Sequence, residues 1–257
     1  MNVVALVKYV PNPNGIPPEI GPDFRLRRDA PEGGLDPTDE PGIELATRLT
    51  RTSGGTTTAL TMGPDESVKA LWRALALGAD QAVAVVDDAL RGADALATAK
   101  VLTAAIRRHV FDLVIAGVES TDGATGTMPA SLAELLGVPS LTFARALHVE
   151  GGTVRIERQT GGGYDVLECS LPALVTVTGA AAQARHVSVR ETIAARKKPM
   201  ETVGLHDLEL TVADVHPGHT VRSVDIAPER EAGELVEDAS EGPARIVRLL
   251  REAGVVA

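Results

Sequence analysis

Strand-length apolar runs alternate with segments of helical spacing along the first half of this chain, and few architectures accept that order. Residues 2–8 (NVVALVK), 55–62 (GTTTALTM), 81–86 (QAVAVV) and 112–116 (DLVIA) read as strands. Between them, residues 43–49 (IELATRL), 66–77 and 94–109 carry the spacing of amphipathic helices, with Thr38 or Asp39 as candidate N-cap of the first. This pattern predicts an α/β fold, a doubly wound and mostly parallel sheet with helices on both faces. Between Asn2 and Lys8 the first run is apolar without a break, as a central strand buried on both sides requires. Ligands in such sheets lie beyond the carboxyl ends of the strands, so the loops leaving Val10, Met62 and Gly117 are expected to converge on one crevice.

The last of these loops holds the chain's most chemical segment. From Asp112 to Leu136 the sequence runs strand, loop and amphipathic helix. Gly117, Gly123 and Gly126 permit sharp turns and close approach, and Ser120, Thr121, Thr125 and Thr127 set hydroxyls beside the free N–H groups of a helix N-terminus. No GxGxxG follows the strand and no Gly-Lys-Ser/Thr closes the loop. By itself the segment fits a nucleotide-phosphate cradle and an ordinary strand-to-helix turn alike.

Elsewhere the pattern is looser. Residues 10–39 contain Pro11, Pro13, Pro17, Pro18, Pro22, Pro31 and Pro37, too many for a regular element, and so long a loop suggests a lid or a subunit contact. After Pro139, runs at 141–148, 153–159, 164–169 and 173–178, joined by Gly151-Gly152 and Gly161-Gly162-Gly163, read as antiparallel edge strands. From residue 202 the chain is polar and broken until 244–253 (ARIVRLLREA), a short amphipathic helix on an extended C-terminal arm that needs a surface to lie on.

Composition excludes several functions. An apolar content of 44% with net charge −10 describes a soluble globular chain without a basic stripe, and its three Phe, two Tyr and one Trp give little to stack bases on, so nucleic acid is not expected as a partner. No apolar run approaches membrane-spanning length and no basic leader precedes the first strand, which points to the cytoplasm without membrane insertion. Cys169 is the only cysteine and reads as a buried thiol; no internal disulfide or thiolate cluster is possible. His216 and His219 lack companions at ligand spacing, so no metal site is expected. Ser53-Gly54-Gly55-Thr56 precedes its strand instead of following it, and Asp87-Asp88 reads as a turn; no catalytic triad or carboxylate dyad can be assembled.

Five segments in order carry a family resemblance: LVKYVP at 6–11, TMGP at 61–64, ALALGAD at 74–80, GVESTDGATGT at 117–127 and AARKKP at 194–199. Together they resemble the β subunit of electron transfer flavoprotein, whose corresponding segments include ALAMGAD, GKQAIDGDTGQ and AAKKKP. The similarity is good over 1–200 and loose beyond. It implies an adenine-nucleotide-hydrolase-like domain over 1–200, with a docking loop at 182–196, and an arm over 201–257 whose helix packs on a partner subunit. It also implies a heterodimer with an α subunit that carries most of a redox-active FAD, and an AMP pocket in the β chain. Electrons would come from acyl-CoA-type flavin dehydrogenases of fatty acid oxidation and leave to a membrane quinone oxidoreductase.

Carried onto this sequence, the resemblance places the pocket at Leu6, Asp36, Pro37, Thr38, Asp39, Met62 and the loop Val118, Glu119, Ser120, Thr121, Asp122, Gly123, Ala124, Thr125, Gly126 and Thr127. Leu6 and Met62 would flank the adenine and the amides of 123–127 would hold the phosphate, with Asp122 bracing the turn or taking a hydroxyl. Partner docking would fall on Arg185, Val189, Lys197 and Lys198, Val189 standing in place of a protruding leucine and the lysines steering toward an acidic surface, against the plainer reading of a solvated helix face. Arg158 matches a family arginine, with an interface or flavin-side role and a surface strand arginine both open. The chain departs from the family at Val118 and Glu119, where Lys and Gln are usual, and across AQARHVSVR (182–190), which lacks the family's prolines. A less cationic loop leaves room for a second FAD in place of AMP, as in electron-bifurcating members. The rival from another class is a stand-alone ATP-binding or ATP-hydrolysing stress-type module, which the absence of a loop lysine disfavours.

Overall fold

The order of elements follows from the burial each segment needs. In a computed structural model of the protein, which describes residues 1–11, 13, 19–28, 33–225, 233, 235–236 and 238–256, the elements are β1 (Val3–Leu6), β2 (Tyr9–Val10), β3 (Gly34–Leu35), α1 (Glu40–Ser53), β4 (Thr57–Met62), α2 (Val68–Leu77), β5 (Gln81–Val85), α3 (Ala95–Arg107), β6 (Leu113–Gly117), α4 (Met128–Leu136), β7 (Ser140–Glu150), β8 (Thr153–Thr160), β9 (Gly163–Ser170), β10 (Ala173–Val177), α5 (Val189–Ala195), β11 (Met200–Val203) and α6 (Gly242–Glu252). Pro17, Pro18 and Pro31 of the proline-rich loop, and 226–232, 234, 237 and 257 of the tail, lie outside the described residues.

Nine strands form one sheet in the order β11-β5-β4-β1-β6-β10-β7-β8-β9. Every pairing from β11 to β7 is parallel, and β7-β8-β9 is antiparallel. β1 shows why its sequence is uninterrupted by polar residues. Val3 and Ala5 pack in the cluster with Ile43 of α1 and Leu71 of α2, while Val4 and Leu6 pack with Ile106 of α3 and Leu132 of α4. A strand between two helical layers has no solvent face to mark.

Two readings change. The run at 173–178 does not belong to the antiparallel edge: β10 lies between β6 and β7, parallel to both, with all five residues buried. Its unbroken ALVTV has the pattern of an interior parallel strand, unlike β8, where buried Val154 and Ile156 alternate with exposed Arg155 and Glu157. The proline-rich loop is not wholly irregular either. β2 and β3 pair within it, Ile20 bridges Leu26, and Pro37–Asp39 form a 3-10 turn into α1.

The chain divides into two compact units, Met1–Arg222 and Ser223–Ala257. The first runs well past residue 200, because β11 extends the sheet beyond β5 and Val203, Leu205, Leu208 and Val215 enter the core. The second contains α6, where Ile246, Val247, Leu249 and Leu250 are exposed.

Candidate nucleotide site

From β1 the chain winds outward through β4 to β5 and then returns to β6 on the other side of β1. The strand order therefore reverses between β1 and β6, the place where doubly wound sheets open a crevice at their carboxyl ends. Three segments meet there: the end of β1, the turn 36–39, and the loop 118–127 after β6.

Asp36 and Asp39 join them from below. Asp36 is fully buried. One carboxylate oxygen accepts the Thr38 amide at 3.0 Å and the Thr38 hydroxyl at 2.7 Å; the other accepts the Thr121 amide at 2.7 Å and the Thr121 hydroxyl at 3.0 Å. It thus caps the 3-10 turn and fixes the loop together, whereas Asp39, one of the two candidate N-caps of α1 and the residue at that position, makes no capping bond with its side chain. Asp39 points into the strand ends instead, accepting the Lys8 amide at 2.7 Å. Burial, reinforced by the neighbouring Asp36 carboxylate, pushes its pKa up to about 8, against the opposing pull of Lys8 and the Gly117 amide. A Cβ on Gly117 would sit 2.8 Å from the Asp39 carboxylate, so any larger residue would have to displace that buried side chain.

Above this floor the loop is open. Gly123, Ala124, Thr125, Gly126 and Thr127 are exposed, with Ala124 at φ 43° and Gly126 at φ 62°. Left-handed residues interspersed in a turn aim successive amides to one side, a concavity that suits an anion. Among the described residues the N–H groups of Gly123, Thr125, Gly126 and Thr127 have no protein acceptor. No side chain caps α4, and Pro129 occupies its first turn. Asp122 lies beneath, its side chain 2% exposed, paired with Lys8 at 2.6 Å and Arg28 at 2.8 Å. Burial alone would raise this carboxyl; the Lys8 and Arg28 charges and hydrogen bonds outweigh it and hold the pKa below the usual carboxylate range. Leu6 and Met62 face the same side of the sheet, Leu6 nearly enclosed at 6% exposure and Met62 half-buried.

Residues 23–208 match the model of the electron transfer flavoprotein domain family. The chain is 36% identical over 258 residues to the electron transfer flavoprotein subunit beta of Mycobacterium tuberculosis, covering 97% of each chain. It is 35% identical to the Bacillus subtilis subunit beta, covering 90% of this chain and 91% of that one, and 30% identical to the Megasphaera elsdenii subunit beta, covering 94% of each. The chain belongs to the electron transfer flavoprotein β-subunit family.

The segment in the place of the family's docking loop is half helix. α5 begins at Val189 behind a capping box in which Ser188 and Glu191 satisfy each other's amides. Val189 is 78% exposed, and Ile193, one turn on, is 59% exposed. Lys197 is exposed, as the sequence suggested. Lys198 is not a free steering charge: its ammonium donates to the carbonyls of Leu75 at 2.9 Å and Ala79 at 2.6 Å, and Arg185 donates to those of Leu77 and Ala76. Both grip the carboxyl end of α2, where unpaired carbonyls attract cations. Arg158 pairs across its hairpin with Asp165 at 3.2 Å.

Two basic residues at the crevice carry no signal of their own in the sequence. In the sequence Lys8 only closes an apolar run and sits inside LVKYVP; in the fold its ammonium donates to Ser120 Oγ at 2.9 Å and to Asp122 at 2.6 Å. Arg28 comes from the proline-rich loop and holds Asp122 through two guanidinium nitrogens. The loop's lack of its own lysine, set beside a lysine ending the adjacent strand, was the available signal.

Proposed function

We propose that the chain is the β half of a heterodimeric electron transfer flavoprotein and that the crevice between β1 and β6 binds AMP, while FAD lies mainly on the α subunit at the interface. The observation that carries the nucleotide reading is the row of open amides at 123–127, set at the sheet's switch point and ahead of an uncapped helix. These residues fit a phosphate, the exposed Thr38 and Pro37 fit the rim of the pocket, and Leu6 with Met62 fits an adenine face. FAD, when bound, supplies the redox chemistry. This chain's own contribution is to bind, orient and dock, and no residue in it is assigned a catalytic role.

In this reading α5 presents Val189 to acyl-CoA-type dehydrogenases in the cytoplasm, the electrons go on to a quinone oxidoreductase, and α6 lies on the α subunit. The apolar residues exposed along α6 support the last point. Among the described residues no helix is long and apolar enough to cross a membrane. Co-production with the α subunit and mass analysis of the nucleotides released on denaturation test the assignment. One FAD and one AMP per heterodimer are expected. Two FAD would make the protein an electron-bifurcating form, and ATP turnover by the chain alone would assign it to a stand-alone module.

A further inference from the structure

We propose that Lys8 is the phosphate-binding cation of the nucleotide site and sets its preference for a nucleoside monophosphate over the nucleoside; the inference rests on the nucleotide reading above. Both backbone polar groups of Lys8 and its ammonium are engaged. Its N–H donates to Asp39 Oδ2 at 2.7 Å, its carbonyl accepts the Asp36 amide at 2.9 Å, and its ammonium donates to Ser120 Oγ and Asp122 Oδ1 at 2.9 and 2.6 Å. Lys8 is therefore pinned between the three segments that form the crevice, and its position over the loop does not depend on a flexible stem. A cation held in place before the ligand arrives loses little freedom on binding.

Its charge also faces the right way. The Lys8 side chain is 36% exposed and that of Asp122 only 2%, so the carboxylate is enclosed while the lysine side chain stays accessible from the crevice side of the pair. An ammonium has three donors, and two are used inside the protein. The Nζ atom lies 3.5 Å from the position a Cβ would take on Gly123, beside the open amides. Two cations, Lys8 and Arg28, answer the Asp122 carboxylate, while the Glu119 carboxylate stands beside the open amides, 3.6 Å from the position a Cβ would take on Gly126, so Lys8 and Arg28 are the charges that favour an anion there. Val118 and Glu119 provide no cation from the loop itself, and β1, the neighbour of β6, delivers one.

The alternative is that Lys8 only braces the crevice, and two ligands separate the cases. The full chain, purified with its α subunit and stripped of bound nucleotide, is titrated with AMP and with adenosine. The parent is expected to favour AMP; Lys8→Met is expected to weaken AMP roughly ten- to a hundredfold, the loss of one charge-assisted contact, and to leave adenosine unchanged. Lys8→Arg is expected to retain most of the preference. Equal weakening of both ligands, or undiminished AMP affinity, would overturn the proposal. If Lys8→Met does not fold, Lys8→Gln, which keeps donors toward Ser120 and Asp122 without the charge, is judged by the same outcomes. A parent protein that binds neither ligand would overturn the nucleotide reading itself, a result distinct from the failure of Lys8 alone.

Discussion

Asp36 accepts both polar hydrogens of Thr121 through one carboxylate oxygen, the amide at 2.7 Å and the hydroxyl at 3.0 Å. Its other oxygen serves Thr38, so one buried side chain ties the entrance of α1 to the loop after β6. Asp36→Ala leaves these donors without their partner. The expected cost is about 1–3 kcal/mol, seen as a drop of several degrees in the thermal midpoint together with loss of bound nucleotide. An unchanged midpoint would mean that the loop is positioned by other contacts.

Asp39 gives the fold a pH dependence of defined sign. Burial and the adjacent Asp36 disfavour its charge and push its pKa up to about 8 in the fold, from an ordinary 3.8. Between those values the folded chain holds a proton that the unfolded chain has released. The contribution is therefore complete below the unfolded pKa and is lost as pH rises through about 8. Urea unfolding at about pH 5 and about pH 8 is expected to show a smaller stability difference in Asp39→Asn than in the parent. Equal differences in the two proteins would remove Asp39 as the source.

Lys197 and Lys198 are neighbours in different surroundings, the first exposed and the second bonded to backbone carbonyls. Lys198 donates to two carbonyls at the end of α2, and partial burial lowers its pKa. Lys198→Met is expected to cost about 1 kcal/mol in stability, discounted for its partial exposure, and to loosen the seat of α5. Lys197→Met is expected to leave the thermal midpoint unchanged and to alter only the salt dependence of electron uptake. The assignment fails if the two substitutions act alike.

The sequence made the sheet legible where periodicity and burial agree. β1, β4, β5 and β6 each read as an apolar run between helices, and the crevice followed from their order. β10 was hidden by its neighbours: three strands around it belong to hairpins or edges, and adjacency in sequence suggested a pairing that the parallel register with β6 and β7 replaces. The glycines of the crevice stood out through the loop pattern and Leu6 and Met62 through the family resemblance, but Lys8 and Arg28 through neither. Lys8 and Arg28 stand 114 and 94 residues from Asp122, and contacts at that separation leave no local pattern. Lys198 was misjudged for a related reason, since whether a lysine steers a partner or caps a helix depends on which carbonyls lie beside it.

Val189 and Ile193 stand one helical turn apart on α5, at 78% and 59% exposure. Residues at that spacing share a face, so they form a single apolar projection. A pair of aliphatic side chains this exposed gains most of its burial only from a partner, and a few such contacts dominate weak interfaces. Val189→Asp and Ile193→Asp are each expected to slow electron uptake from a dehydrogenase roughly tenfold, the loss of one modest anchor. Neither is expected to move the flavin spectrum or the thermal midpoint, because neither side chain packs in the core. Stopped-flow reduction of the heterodimer reads both effects. Unchanged transfer rates in both variants would take α5 out of the docking surface, and a loss in Val189→Asp alone would confine the anchor to the first turn.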